Sequence, residues 1–557
     1  MLCLALPPLG WWPAAIALVV PFAAVANARA GRRAFSVGFW FALPFFAIYV
    51  SWLPRSLTEL LGPGFWFVYP FMVAILAAFW GLTCWATLHL SGGGGRRTLF
   101  LLPVTWVLVE WARTQGYFAF PWGTLGYAFL ETPVAQLADT VGVYGLSLLV
   151  TVPAALIALP LVTPRTGGFG DGVVRLLLAP AAAALLLAVA FMAGETRLPT
   201  PAAAAAPATT GAAAPTGAGA EADAPTTADG IVPITGDFGD LSVSRTAGAA
   251  QPYAALLVQG NSDAFGRLES ARSELDRHVA LTSEAVAARL SVGLGAFDLV
   301  VWPEGAVLGY EFEGPAGEDL RAVISDSAAG APIVTGGRAY VGDASFNSLF
   351  SLQGGDLVGR YDKHYLVPFG ERWPFIQSVP WLYRAVFNAM GLPMLAGTTA
   401  GTSPAPLSTS LAPVGAFICY ESVFPQVQRQ LVSRGAQVLV LSTNDAWFAV
   451  GAGARQHFDM GRLRAIETRR WLLRAGNDGI TAAVDPYGRV TAELARGVAG
   501  TLAVGFDLRN DLTPWVRFGH LTPWLLVGYT VLVGVVLLRA RPVERVTAAE
   551  RLLKRSR

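Results

Sequence analysis

Long apolar runs without charges fill the first third of the chain and return near its end. Runs of this length predict helices able to cross about 30 Å of hydrocarbon. Candidate spans are predicted at residues 11–28, 34–52, 65–90, 98–112, 134–163, 174–193 and 519–538. The pattern therefore predicts a multi-pass α-helical membrane protein with six spans in residues 1–193 and a last one within 513–538.

Basic residues fall on alternate connections between these spans. They follow the first and third spans, flank the fifth-to-sixth connection and fill the tail at 539–557, whereas the connections at 53–64 and 113–133 carry one arginine each. Short cytoplasmic loops collect Lys and Arg. We therefore expect an outer N-terminus, an inner C-terminus and residues 194–518 on the extracytoplasmic side. No cleavable signal peptide is expected, since the start has no basic n-region.

Between the sixth and seventh spans the composition changes twice. Residues 194–250 are rich in Ala, Pro, Thr and Gly and poor in large apolar residues, which predicts a flexible linker. From residue 253 short apolar strands such as YAALLVQGN and FDLVVWPE alternate with helical stretches. Helices are predicted near 265–290, 316–328, 422–434 and 455–470. This alternation predicts an α/β domain at 251–512 with one sizeable core.

The composition argues against an ordinary soluble protein and against a nucleic-acid-binding protein. Hydrophobic residues make up 54% of the 557 residues and charged residues 14%, which is too apolar for an ordinary soluble protein. The net charge is +2 and the arginines are dispersed, so no nucleic-acid partner is expected. The histidines lack a metal-ligand spacing, and we expect neither a metal nor a cofactor.

Cys419 is the one cysteine of the predicted outer domain, because Cys3 and Cys84 lie in or beside apolar spans. A free cysteine is often a small buried hydrophobe. In ICYES, however, it ends an apolar strand and is followed by Tyr420 and Glu421, which favours a reactive thiol.

Two further polar residues end apolar strands. Lys363 is one of only two lysines among 40 basic residues, and a primary amine is a rotatable donor that adjusts its pKa, unlike guanidinium. A solvated surface lysine is the alternative. Glu304 follows the strand of VVWPEG, where a partly buried carboxylate beside a thiol can act as general base. A strand-end glutamate exposed to water is the alternative.

The motifs VVWPEG, YDKHYLVPFGE and ICYES together resemble the Glu-Lys-Cys triad of the nitrilase superfamily of carbon–nitrogen hydrolases. The resemblance is closest to the apolipoprotein N-acyltransferase family. It extends to STNDAWF at 442–448, to the segment at 455–482 and to FPWGTLGY at 120–127. The family usually has one more N-terminal span and a Trp soon after the strand matching ALLVQGN, and neither is present here.

This resemblance implies an αββα sandwich inserted into the membrane bundle. It implies Cys419 as nucleophile, Glu304 as general base and Lys363 as oxyanion donor. Supporting or substrate-binding positions match Glu371, Tyr420 and Glu421.

The implied reaction takes an acyl chain from a membrane phospholipid to the N-terminal amine of a diacylglyceryl lipoprotein, through a thioester, at the bacterial cytoplasmic membrane. Enzymes of lipid-linked glycan synthesis are expected as further partners. Two alternatives stay open: a membrane-tethered amidase or nitrilase, in which water resolves the thioester, and a non-catalytic scaffold of a lipid-linked pathway.

Two features of the membrane region carry further expectations. Glu110, a carboxylate at membrane depth, is predicted to pair with Arg113 one turn later. The aromatic clusters at 63–70 and 380–387 are predicted to be lipid-facing arms or interfacial anchors.

Overall fold

A computed structural model describes residues 1–62, 66–162, 177–199, 253–262, 271–373, 375–376, 378–389, 397–448 and 451–539. The predicted linker lies outside the described residues from residue 200 on, and so does the basic tail after Arg539.

The described residues of the N-terminal region form helices joined by turns and loops. Its α-helices are α1 Leu2–Ala5, α2 Val19–Ala26, α3 Gly31–Tyr49, α4 Leu53–Leu61, α5 Tyr69–Leu90, α6 Arg96–Ala112, α7 Ala138–Ala158 and α8 Ala179–Glu195. α3 and α5 approach so closely that a Cβ on Gly38 would lie 2.5 Å from the carbonyl oxygen of Trp80. Glycine is therefore required at this crossing, as in other close helix pairs.

Three helical stretches among the described residues are long and apolar enough to cross a membrane: Tyr69–Leu90, Pro133–Leu161 and Pro514–Leu537. Trp12–Ala26 and Ala179–Glu195 are apolar but shorter. The predicted spans at 34–52 and 98–112 fall on α3 and α6, which carry an arginine pair in their first turns and lack that combination of length and hydropathy. The number of membrane crossings stays a prediction.

The C-terminal part contains two β-sheets. Its strands are β1 Tyr253–Gln259, β2 Leu299–Val301, β3 Ile333–Val341, β4 Ala344–Gln353, β5 Asp356–Asp362, β6 Val414–Ile418, β7 Val438–Thr443, β8 Leu472–Gly476, β9 Thr481–Val484, β10 Val490–Leu494 and β11 Gly500–Phe506. The first sheet has the order β11-β1-β2-β3-β4-β5, and the second has the order β10-β9-β8-β7-β6. β1–β2–β3 and β6–β7–β8 pair in parallel.

Helices cover the outer face of each sheet. The remaining helices are α9 Ala271–Ser291, α10 Glu318–Ser327, α11 Pro380–Ala389, α12 Pro425–Ser433, α13 Gly453–Thr468, α14 Pro514–Phe518 and α15 Thr522–Arg539. In β1, Leu256 packs in the cluster that holds α9 and α10, while Leu257 packs in the cluster that holds β6, β7 and α13. Successive side chains of a strand point to opposite faces, so the layers are helix, sheet, sheet, helix. The αββα prediction is confirmed.

Several helices and strands differ from the prediction. The helix expected near 265–290 is described from Ala271 to Ser291, and residues 263–270 lie outside the described residues. β10 and β11 were not predicted. β10 is short and mixes polar with apolar residues, whereas β11 is a mostly apolar, buried run that the prediction missed. α11 is a helix where the sequence had indicated only an aromatic cluster.

Candidate active site

Three predicted residues stand just beyond the carboxyl ends of strands. Lys363 follows β5 and Cys419 follows β6 directly, while Glu304 comes shortly after β2. Glu304 and Lys363 thus belong to the first sheet and Cys419 to the second. Because the two sheets pack face to face, their strand ends can supply one site from rigid supports.

Lys363 lies between two carboxylates and is not a surface lysine, since its side chain is 1% exposed. Its Nζ lies 2.9 Å from Oε1 of Glu371 and 3.4 Å from Oε1 of Glu304. The Asn347 amide donates to the same two oxygens at 2.7 and 2.8 Å. Burial favours the neutral amine, but Glu304 and Glu371 outweigh it and raise the pKa of Lys363. The amine therefore stays a cation.

The two carboxylates differ in their remaining contacts. Burial opposes ionisation of Glu371, but Lys363, the Val367 N–H at 2.9 Å and Asn347 hold its pKa below the ordinary value. Its oxygens are thus occupied by fixed donors. Glu304 receives the backbone N–H of Asn444 on Oε2 at 3.1 Å. Glu304 is consequently held between the lysine side and the end of β7, and it also acts on Cys419 electrostatically.

Cys419 begins a short 3₁₀ turn in a left-handed conformation, with φ of 48°. A non-glycine residue in this region costs of order 1–3 kcal/mol and persists only where the surroundings impose it. Burial and then Glu304 raise the pKa of the thiol, whereas Lys363 and the Thr443 hydroxyl lower it. The resting group is therefore a thiol.

Glu421 is buried and joins the two strand ends. Its carboxylate accepts the N–H groups of Ile418 and His364, both at 2.8 Å, and the hydroxyl of Tyr361 at 2.9 Å. It thereby holds the end of β6 to the segment that follows β5. These contacts favour the supporting role over substrate binding.

Tyr420 connects the site to the helical region. Its hydroxyl donates to the carbonyl of Ala119 at 2.6 Å, and its ring stacks on Trp122 at 5.9 Å. Arg372 reaches the same loop and donates to the carbonyl of Tyr117 at 2.7 Å. The loop between α6 and α7, which includes the FPWGTLGY motif, is therefore a wall of the site.

Comparisons with known proteins decide the family. Residues 1–156 match the family described as apolipoprotein N-acyltransferase N-terminal domain, and residues 255–514 match carbon-nitrogen hydrolase. An apolipoprotein N-acyltransferase of Bordetella bronchiseptica is 30% identical, over 94% of this chain and 92% of that protein. The chain belongs to the apolipoprotein N-acyltransferase family. It is therefore an acyltransferase of the carbon–nitrogen hydrolase superfamily.

Other members of the apolipoprotein N-acyltransferase family match over similar lengths. The protein of Geobacter metallireducens is 27% identical and covers 98% of this chain, with 94% of its own length matched. Among solved structures, an amidase from Nesterenkonia sp. gives a TM-score of 0.35 at 19% identity, covering 48% of this chain and 92% of that one. The assignment to the family rests on the family and sequence matches.

The predicted pair of Glu110 with Arg113 makes no direct ion contact, although the two groups interact electrostatically. Glu110 accepts the backbone N–H of Leu125 at 2.9 Å, and Arg113 donates to the carbonyls of Phe120 and Trp122 at 2.8 and 2.5 Å. The chain turns back after α6, so these hydrogen bonds of both side chains go to the loop.

The sequence pattern missed His457, which had been considered only as a metal ligand. It lies fully buried behind Cys419 with Asp445, from the NDAWF part of the family motif. The STNDAWF motif pointed to Asp445, but the partner of Asp445, His457, lies on a different helix, α13. Among the described residues no group of three or more His, Cys, Asp or Glu is placed to hold a metal ion.

Proposed function

We propose that this enzyme transfers an acyl chain from a membrane phospholipid to the α-amino group of a diacylglyceryl-cysteine at the N-terminus of a lipoprotein. The observation that carries the proposal is the buried Lys363 between Glu304 and Glu371, beside a strained cysteine at the end of the opposite sheet. Burying a charged amine this deeply has a desolvation cost. A role in oxyanion stabilisation explains why the charge is kept there.

In the first half-reaction Glu304 takes the proton of the Cys419 thiol as the sulfur attacks the ester carbonyl of the phospholipid. The carbonyl oxygen gains the negative charge, which Lys363 stabilises. The intermediate collapses when the carbon–oxygen bond breaks, and Glu304 returns the proton to the departing lysophospholipid. The product is a thioester on Cys419.

In the second half-reaction the amine of the lipoprotein attacks the thioester carbonyl and gives its proton to Glu304. The same oxyanion position is used again. Collapse breaks the carbon–sulfur bond and releases the amide, and Glu304 returns the proton to the Cys419 thiolate, which restores the thiol. Since the acyl group waits on the enzyme, the two lipid substrates need not be bound together, and ping-pong kinetics are expected.

We further place the protein in the bacterial cytoplasmic membrane as a multi-pass protein, with the catalytic domain on the extracytoplasmic side. The alternation of basic connections along the sequence supports this orientation. The contact of Tyr420 with the loop after α6 supports it as well, since it holds the site against the helical region where lipid esters would be reached. The expected contact with enzymes of lipid-linked glycan synthesis stays a prediction.

The test uses purified full-length protein in phospholipid vesicles with a diacylglyceryl-cysteine peptide. Mass spectrometry should detect an acyl thioester on Cys419 before peptide is added and an N-acylated peptide afterwards. Cys419→Ala should show neither product.

The remaining alternatives predict other products. Ammonia release from small amides without acylated peptide would support the amidase. Peptide acylation that survives Cys419→Ala would exclude Cys419 as nucleophile and leave the scaffold reading open.

A further inference from the structure

A polar network with no contact to solvent lies on the far side of the nucleophile. Asp445, His457 and Arg474 are each 0% exposed. Nδ1 of His457 lies 3.2 Å from Oδ1 of Asp445, and the Arg474 guanidinium donates to Oδ2 of that carboxylate at 2.5 Å. Buried charges are retained only when paired and hydrogen-bonded. We therefore infer that these three groups behind Cys419 have a role besides packing of the core.

The network reaches the nucleophile through its carbonyl. Nε2 of His457 lies 2.9 Å from the carbonyl oxygen of Cys419 and 2.7 Å from the Ser422 hydroxyl. A carbonyl only accepts, so Nε2 carries a proton and donates it. In the neutral ring Nδ1 is then the acceptor, and Nη2 of Arg474 lies 3.2 Å from it as the donor. Cys419 has the strained φ of 48°. A donor fixed on the Cys419 carbonyl limits rotation about the Cα–C bond of that residue. It thereby holds the turn that presents the sulfur.

The same network reaches the base. Asp445 accepts the hydroxyl of Thr443 at 3.1 Å. The residue between them, Asn444, donates its N–H to Glu304 at 3.1 Å. The Asp445 carboxylate therefore holds the backbone that orients Glu304 and, through Arg474, the imidazole that holds Cys419.

Packing around Asp445 leaves this carboxylate little freedom. A Cβ on Gly479 would lie 2.3 Å from Oδ2 of Asp445, so the backbone at 479 touches the carboxylate directly. Arg474 in turn donates from Nε to the carbonyl of Ile480 at 2.8 Å. The geometry at Cys419 and Glu304 is thus set by groups that have no room to shift.

We propose that His457, oriented by Arg474 and Asp445, is a positioning residue that fixes the Cys419 turn in its reactive geometry relative to Glu304. This inference rests on the proposed function, because it takes Cys419 as the nucleophile. It predicts that loss of the Nε2 donor slows acylation of Cys419 without changing how the phospholipid binds. A misplacement of about 1 Å is enough to cost about 100-fold in rate.

The test compares His457→Phe, His457→Gln and His457→Asn in the full-length enzyme. The phenyl ring keeps the volume and removes both nitrogens, the Gln amide replaces Nε2, and the Asn amide replaces Nδ1. Thioester formation should slow about 30- to 100-fold in His457→Phe and in His457→Asn, with the KM for phospholipid within about 2-fold. His457→Gln should recover at least about 10-fold of that loss, because its amide N–H reaches the Cys419 carbonyl.

Alkylation of Cys419 by iodoacetamide, located by peptide mass spectrometry, gives a reading that needs no lipid substrate. It should slow in the same order of variants. The matched control is His278→Phe, since His278 is also buried but lies on α9 against Trp302. This variant should keep the wild-type rates in both assays.

Equal loss in His457→Gln and His457→Asn, or a loss in His457→Phe no larger than in His278→Phe, would overturn the positioning role. If His457→Phe fails to fold, the Gln and Asn pair decides alone. Failure of the proposed function has a different signature, because wild-type enzyme would then form no thioester while Cys419 alkylation still ranked the variants.

Discussion

Two helices of this chain use polar and apolar side chains in opposite ways. α13 carries several charged residues, and all of its residues except Arg455 are buried. α15 is almost entirely apolar, yet Trp524, Leu525 and Leu532 are 67%, 69% and 65% exposed. The buried charges of α13 are unfavourable unless they are paired and hydrogen-bonded. The apolar face of α15 is unfavourable when it is exposed to water. Both are stable only if α13 meets specific partners and α15 meets hydrocarbon.

The partners of α13 come from the rest of the protein. Arg464 pairs with Glu467 on the helix itself at 3.3 Å, and Glu467 accepts the N–H of Val143 from α7 at 2.8 Å. Arg469, just beyond the helix, pairs with Asp139 at 2.7 Å. The catalytic domain is therefore joined to the helical region by polar contacts. The difference teaches that buried charge marks the reaction site and the domain joint, while exposed apolar surface marks the proposed lipid contact.

The largest expected effect lies at the buried charge of the site. Lys363→Met removes the proposed oxyanion donor and should reduce acyl transfer by at least about 100-fold. Lys363 also lowers the pKa of the Cys419 thiol, so its loss raises that pKa further and moves alkylation of Cys419 to higher pH. Glu304→Gln removes a charge that raises the same pKa and should move alkylation to lower pH, although acyl transfer is lost. A pH profile of alkylation checks both signs, and shifts in the same direction would contradict this electrostatic account.

The next effect concerns the charges of α13 that hold the fold. Arg464→Met leaves the Glu467 carboxylate, which is 0% exposed, without its cation. Breaking a buried pair costs about 3–5 kcal/mol in unfolding free energy. We expect a loss at the lower end of this range, because burial raises the pKa of Glu467 to about 7 and the carboxyl can take up a proton. Denaturant unfolding in detergent micelles measures the loss.

The control for this prediction lies on the same helix. Arg455 pairs with Asp459 at 3.2 Å, but its side chain is 39% exposed. Arg455→Met should cost less than about 1 kcal/mol. Equal losses for the two arginines would mean that burial does not distinguish the charges of α13.

The smallest effect tests the apolar surface of α15. Val531 is 58% exposed on α15, and Val323 is 51% exposed on α10 of the catalytic domain. If the first faces lipid and the second water, Val531→Lys should cost about 2.5–3 kcal/mol of membrane insertion and Val323→Lys almost nothing. Carbonate-resistant membrane fractions measure both. Equal recovery of the two variants would contradict the contrast between the helices.

Much of the site could be predicted from the sequence because its signals are local. Glu304 and Cys419 each follow a strand with both faces buried, and such a strand is a continuous apolar run that can be recognised without its neighbours. The strand before Lys363, β5, is mixed in composition and partly exposed. The rarity of lysine in this chain pointed to Lys363 in the same way. The helices α10, α12 and α13 also lie where the apolar pattern predicted them.

The sequence by itself thus determined the apolar spans, the α/β domain and the residues at its strand ends. Only the tertiary structure decided which groups surround them: Asn347 between two carboxylates, Glu421 between two strand ends, and His457 behind Cys419. It also decided that Arg113 turns to loop carbonyls instead of Glu110. The physical reason is that a strand end is fixed by its own residues, whereas a buried polar partner is selected by packing between segments far apart in the chain.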